Sequence, residues 1–139
     1  MSPSQPASRV YFEDVQTGVP LETPAMTLTE THAALFNSLS TARPGEPGTI
    51  PDLLPLCLSS GLGWRVPQPP LVVLAFMGFE WRFLKPTRVG DTIRSVSKTV
   101  AKRSMKEGGV VVEERSILNQ RGEIVQSGRL TLLVAKRPA

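Results

Sequence analysis

The sequence predicts an α+β domain in which a curved antiparallel sheet wraps around one buried helix. Three observations lead there. From Leu71 onward the chain reads as four long strands with short, Gly-containing connections. Before them, Leu53 to Trp64 carries no charge and puts apolar residues on every side of a helical wheel, so it must be covered on every side. A chain of 139 residues also suits one domain with its own core, because at this size about two thirds of the unfolded surface can be withdrawn from water.

In chain order, residues 1–9 are rich in Ser and Pro and read as a disordered tail, leaving 10–139 as the domain. Tyr11 to Val15 reads as a short strand before a turn at Thr17-Gly18, and Leu21 to Leu28 as an extended piece broken by Pro24. Thr27 followed three residues later by Glu30 forms a capping-box pattern. Ala33, Ala34, Phe36 and Leu39 then supply the apolar stripe of a helix running to Ser40, with His32 on the surface of its first turn. Thr41 to Pro51 holds too many Gly and Pro residues for regular structure. Asp52 is placed to cap the apolar helix, which keeps Pro55 inside the first turn, where no intrahelical N–H is lost. Pro67 to Pro70 separates that helix from strands over Leu71 to Leu84, Asp91 to Met105, Val110 to Asn119 and Glu123 to Ala135. Gly108-Gly109 and Gln120-Arg121-Gly122 read as hairpin turns, which make the last three strands antiparallel neighbours. An open edge strand on such a sheet invites pairing with a second copy.

Composition removes several classes of function. One cysteine, Cys57, allows no internal disulfide, and with one histidine, His32, it cannot build a Cys/His zinc cluster. Any Ser-His-Asp or Cys-His scheme would have to pass through His32. No apolar stretch nears the roughly 20 residues of a membrane helix, and the first nine residues lack a signal-like apolar run. The expectation is a reduced, cytoplasmic protein that binds no metal and no membrane. The net charge is +4, with Arg82, Lys85, Arg88, Arg94, Lys98, Lys102, Arg103 and Lys106 set against Asp91 alone. That run reads either as a docking place for an anionic ligand or as a solvated strand face; no nucleic-acid motif accompanies it.

Several spaced motifs carry a resemblance. They are Tyr11-Phe12-Glu13-Asp14-Val15 with Gly18; Thr27-Leu28-Thr29-Glu30 leading to Phe36; Leu53-Leu54 through Ser59-Ser60-Gly61-Leu62; Arg82-Phe83-Leu84-Lys85-Pro86 with Val89-Gly90-Asp91-Thr92; and Asn119-Gln120-Arg121-Gly122-Glu123. In this order they resemble the MaoC-like dehydratases, the (R)-specific enoyl-CoA hydratase family, from Tyr11 to Val134. The resemblance implies a hot-dog fold, a homodimer or dimer of dimers, and an acyl thioester ligand. It also implies no cofactor other than coenzyme A as part of the substrate.

Two departures bear on chemistry. The family's Gly-Asp-x-Asn-Pro-x-His run falls on Thr41-Ala42-Arg43-Pro44-Gly45-Glu46-Pro47, with Ala42 in the place of the Asp and Pro47 near that of the His. Neither side chain moves a proton. Where the family begins its buried helix with Ala-His-Gly, this chain has Ile50-Pro51-Asp52, and a carboxylate there competes with a substrate oxygen for the amides at the helix start.

Asp52 is therefore the candidate catalytic residue, a general base in a relocated role, with a simple helix cap as its other reading. Ser38, Ser40, Thr41 and Arg43 stand at the start of the altered loop as substrate-binding candidates, or as a helix end with an exposed arginine. By resemblance, Arg82, Lys85 and Arg88 are the candidates for coenzyme A phosphates, although alternation sends Arg82 and Lys85 to opposite faces. Cys57 reads as inert and buried, Trp64 and Trp81 as core. The functional expectation is a hydratase or dehydratase type of lyase acting on an acyl thioester. The alternatives are a non-catalytic acyl-binding or partner subunit, and a hot-dog thioesterase or cyclase.

Overall fold

The computed structural model describes residues 8–41, 43 and 45–139; the expected tail lies, as far as residue 7, outside the described residues. Period-2 alternation sets the architecture. Strands β1 (Leu21–Glu22), β2 (Met26–Thr27), β3 (Val73–Phe83), β4 (Thr92–Met105), β5 (Gly108–Leu118) and β6 (Ile124–Val134) accompany two helices, α1 (Glu30–Ser40) and α2 (Leu54–Gly63). All pairings between these strands are antiparallel. The sheet order is β1-β4-β5-β6-β3, with β2 also on β4, and α2 packs on the face formed by β4 and β5. This is the expected α+β arrangement.

The face that meets α2 is not uniformly apolar. Leu28, Ile50, Leu54, Ile93, Ile117 and Val125 form one buried cluster around the start of α2, flanked by Ala33, Phe36, Leu58, Trp81 and Val89. Each such side chain, fully buried, stabilises the fold by about 1.5–3 kcal/mol. Phe12, Val111 and Val134 form a second cluster. Along β5, Val111 belongs to one cluster and Ile117 to the other, so Glu113 and Arg115 stand between them on the same face. Opposite these lie Thr99 and Ser97 of β4, with Ser95 opposite Ile117. A polar band therefore crosses the concave face between two apolar ends.

Several local expectations are corrected. Tyr11 to Val15 forms no strand: Phe12–Asp14 is a single 3₁₀ turn, because the Asp14 carboxylate accepts the Tyr11 N–H at 3.0 Å and Val15 N–H closes on the Phe12 carbonyl, local bonds that compete with sheet pairing. The cap of α1 is Thr29, whose hydroxyl accepts from His32 N–H while the His32 ring answers the Thr29 N–H at 3.0 Å. Thr27 is unavailable for this, since its hydroxyl bonds that of Thr92 at 2.8 Å within the β2–β4 pair. Of the α1 stripe, Ala33 and Phe36 reach the core, whereas Leu39 is 85% exposed. The β4–β5 turn falls on Lys106-Glu107, and Gly108 and Gly109 begin β5. Gly109 is required there, because a Cβ would stand 2.1 Å from the Phe12 ring.

The largest correction concerns α2. Only Leu54, Pro55, Ser59 and Leu62 are buried; Leu53, Cys57 and Trp64 are exposed. One sheet face covers one side of a helix, so the chain alone cannot enclose it. The same holds for β3, which pairs with β6 alone: Val73, Leu74, Phe76, Met77, Phe79 and Phe83 are 45–56% exposed, on both faces of the strand. Trp81, by contrast, packs against the core as expected.

Candidate functional site

A cavity of about 690 Å³ opens between the second half of α2, the polar band and the segments before β1 and β3. Ser59, Ser60, Gly63 and Trp64 of α2 and the turn that follows it line one wall; Ser95, Ser97 and Thr99 of β4 with Glu113 and Arg115 of β5 line another; Val15, Val19, Leu71 and Leu132 supply apolar surface. Its chemistry centres on Arg115. The guanidinium donates to Glu113 Oε1 through Nε at 2.9 Å, and its Nη2 lies 2.8 Å from the same oxygen as an ion pair. Through Nη1 it reaches the Ser59 hydroxyl at 3.0 Å and the Ser60 hydroxyl at 3.1 Å. The two charged side chains are only 12% and 19% exposed. Pairing offsets the desolvation of each charge, and the serines satisfy the rest of the fork. Gly128 lies opposite Arg115 on β6, and a Cβ there would stand 2.0 Å from the Glu80 carbonyl and 2.6 Å from the Trp81 ring.

Ser95 is 2% exposed, lines the cavity, and among the described residues bonds only through its backbone, its N–H donating to the Thr23 hydroxyl at 3.0 Å. The hydroxyls of Ser95 and Ser97 and the second carboxylate oxygen of Glu113 make no hydrogen bond among the described residues. Sequence reasoning missed this site. The signal was a charged pair two residues apart on a strand whose same face otherwise reads Val111 and Ile117.

Of the candidate residues named from the sequence, Trp64, and Lys98 of the basic run, line this cavity; Asp52, Ser38, Ser40, Thr41, Arg43, Arg82, Lys85 and Arg88 do not. Asp52 does not cap α2: the N-cap is Leu53, without a side-chain bond. The Asp52 carboxylate is exposed and makes no hydrogen bond or ion pair among the described residues. What holds this point is the Asp52 carbonyl, which accepts from Gln126 Nε2 at 2.8 Å while Gln126 Oε1 accepts the Trp81 indole N–H at 2.9 Å. Ser38, Thr41 and Arg43 are exposed; Ser40 donates to the Phe36 carbonyl at 2.8 Å, and Thr41 ends α1 in the left-handed conformation, φ 52°. Ala42 and Pro44 of the altered loop lie outside the described residues.

The basic run is partly spent inside the fold. Lys102 donates to the Phe12 and Val15 carbonyls at 2.9 Å and lies 4.7 Å from the centre of the Phe12 ring. Arg94 pairs with Glu22 and Lys85 with Glu123. Hydrogen bonds from Lys85, Asn119 and Arg121 hold the Glu123 carboxyl down at about 2. Arg82 and Arg88 have exposed side chains.

No protein-family model and no curated protein matches the sequence. Solved structures do. A monoamine oxidase regulatory protein from Archaeoglobus fulgidus is 28% identical over 94% of this chain and 97% of its own, with a TM-score of 0.86. A protein from Chloroflexus aurantiacus described as a MaoC-domain dehydratase is 27% identical with a TM-score of 0.82 over 98% of this chain. The chain has the MaoC-like hot-dog fold. A Mycobacterium tuberculosis protein with a double hot-dog fold, 22% identical with a TM-score of 0.72, is matched over 94% of this chain. The chain spans only 43% of the Chloroflexus protein and 45% of the mycobacterial one. Among its described residues no helix is long and apolar enough to cross a membrane.

Proposed function

We propose that this protein binds an acyl thioester and holds the acyl group in the cavity beside the second half of α2. The observation that carries the reading is the cavity itself: about 690 Å³, large enough for a small-molecule ligand, with apolar walls and a few convergent polar groups. Arg82, Lys85 and Arg88 are the proposed contacts for the coenzyme A phosphates, Lys85 then exchanging its bond to Glu123 for one to a phosphate. A cytoplasmic homodimer is the proposed form. Its interface is β3, whose open edge and half-exposed aromatic and aliphatic side chains suit a second copy of the same strand.

Calorimetry tests this. A saturated acyl-CoA is expected to bind more tightly than free coenzyme A, and Gly63→Leu is expected to abolish that advantage. The substitution fits at the end of α2, where nothing lies within 4 Å of the added Cβ, and it adds bulk to the wall of the cavity, which Gly63 lines. Equal affinity for acyl-CoA and coenzyme A overturns the reading.

The lyase reading rests on the likeness to a dehydratase structure and on Asp52 as the base, with Ser38, Ser40, Thr41 and Arg43 around the substrate. It expects consumption of short 2-enoyl-CoA substrates, followed by the loss of their ultraviolet band, and a fall on the order of a hundredfold in Asp52→Asn. The geometry of the single chain favours binding over hydration, since Asp52 faces solvent outside the cavity and the positions of the family's Asp and His hold Ala42 and, nearby, Pro47. Binding without turnover at any chain length leaves the acyl-binding subunit as the function.

A further inference from the structure

We propose that a second copy of this chain adds to β3 in one antiparallel register only, centred on Trp81, with Glu80 of each copy opposite Arg82 of the other. This rests on the homodimer reading and adds what fixes the interface. It assigns Arg82 to that interface, which leaves Lys85 and Arg88 for the phosphates of the ligand.

The backbone limits where the edge can accept a strand. β3 pairs with β6 alone, and its register slips between Val73 and Ala75 and again between Phe76 and Gly78. Such irregularities bend an edge away from an incoming partner. From Gly78 to Phe83 the register is unbroken, the Leu84 N–H still bonds the Val125 carbonyl at 2.9 Å, and Pro86, without an N–H, stops the ladder. The regular stretch is thus Gly78 to Leu84, and its midpoint is Trp81.

Side-chain chemistry selects the same midpoint. Glu80 and Arg82 lie opposite Arg129 and Ser127 of β6, on the face away from α2. Both are exposed, and neither makes a hydrogen bond or ion pair among the described residues. Two copies related by a two-fold axis oppose residues equidistant from the centre. Centred on Trp81, the pair sets Glu80 against Arg82 twice, once on each side of the axis. On the concave face Phe79, 52% exposed, meets Phe83, 48% exposed, and on the other face Leu84, 53% exposed, falls opposite Gly78, which offers no side chain of its own. Opposite charges and aromatic pairs directly across an antiparallel ladder stabilise it.

The neighbouring registers lose this. A centre on Glu80 sets that carboxylate against its own copy, a centre on Arg82 does the same to the guanidinium, and like charges directly opposite repel. A centre between two residues turns the two concave faces to opposite sides of the joint sheet.

Sedimentation equilibrium of the purified chain tests the proposal, and the parent is expected to dimerise. Glu80→Arg and Arg82→Glu, each alone, place like charges opposite one another twice per dimer and are expected to weaken self-association about thirtyfold. In an equimolar mixture of the two variants, each arginine of one chain meets a glutamate of the other, and the mixed dimer is expected to form within about threefold of the parent's dissociation constant. Glu80→Arg with Arg82→Glu on one chain exchanges the charges and is expected to dimerise like the parent. A monomeric parent overturns both this proposal and the homodimer. A dimeric parent whose single variants associate as tightly as it does, whose mixture gains nothing over either variant alone, or whose charge-exchanged chain stays monomeric overturns the register and leaves the dimer standing. A folding defect in either variant would persist in the mixture, so recovery reads the interface itself. No ligand enters the measurement, and acyl binding stands or falls separately.

Discussion

The start of α2 is fixed by apolar packing and one amide side chain: Leu54 joins Ile93, Ile117 and Val125, and Gln126 ties the Asp52 carbonyl to the Trp81 indole. The end of the same helix is fixed by charge, through the Arg115 fork on Ser59 and Ser60. At the start the contacts are those of a buried apolar cluster, whereas polar anchoring at the end coincides with the cavity. The resemblance directed attention to the start of the helix; the geometry of the chain directs it to the end. Polar groups in a half-buried surface need partners, and a fold that leaves some of them unmet beside a cavity has kept room for a ligand to meet them.

Removing the charged anchor is the severest way to break this contrast. Arg115→Ala leaves Glu113 without its partner in a site where its side chain is 19% exposed, and the expected loss is roughly 3 kcal/mol, read from urea unfolding. A loss below 1 kcal/mol would mean that the second half of α2 is held by its apolar contacts alone. At the other end, Gln126→Ala removes both bonds of a side chain that is 1% exposed and is expected to cost about 2 kcal/mol in the same assay, without changing acyl-CoA affinity more than about twofold. An affinity loss as large as that of Gly63→Leu would merge the two ends into one site.

The smallest expected effect is the response to acid. Glu123 sits at about 2 when folded, against its usual 4.5, so the folded state binds its proton less readily than the unfolded one. Its contribution is therefore complete above about pH 4.5, falls away as the pH drops towards 2, and is gone below both values. Glu123→Gln is expected to flatten the denaturation midpoint across that window, and an unchanged acid profile would show that the Lys85, Asn119 and Arg121 bonds do not couple to folding.

Much of this was legible in the sequence. Alternation from Ile124 to Val134 and the Gly-marked connections gave four strands within a residue or two of their observed ends, and Pro24 divides β1 from β2 as read. The helix caps were not legible. The pattern of Thr27 with Glu30 pointed to Thr27, and only its pairing with Thr92, 65 residues away, leaves the cap to Thr29. For α2 the wheel asked for cover on all sides, whereas the sheet covers only the side that carries Leu54, Pro55, Ser59 and Leu62. The cavity was hidden because Ser59 and Arg115 are 56 residues apart in sequence and meet only once α2 has packed on β4 and β5.

Cys57 stands on the outer side of α2, open to solvent in the isolated chain, and it is the protein's single sulfhydryl. Any maleimide dye will thus attach at one known place on the helix that a neighbouring copy would have to approach. The rate of that attachment, followed as the protein is diluted, converts the question of assembly into a simple chemical clock.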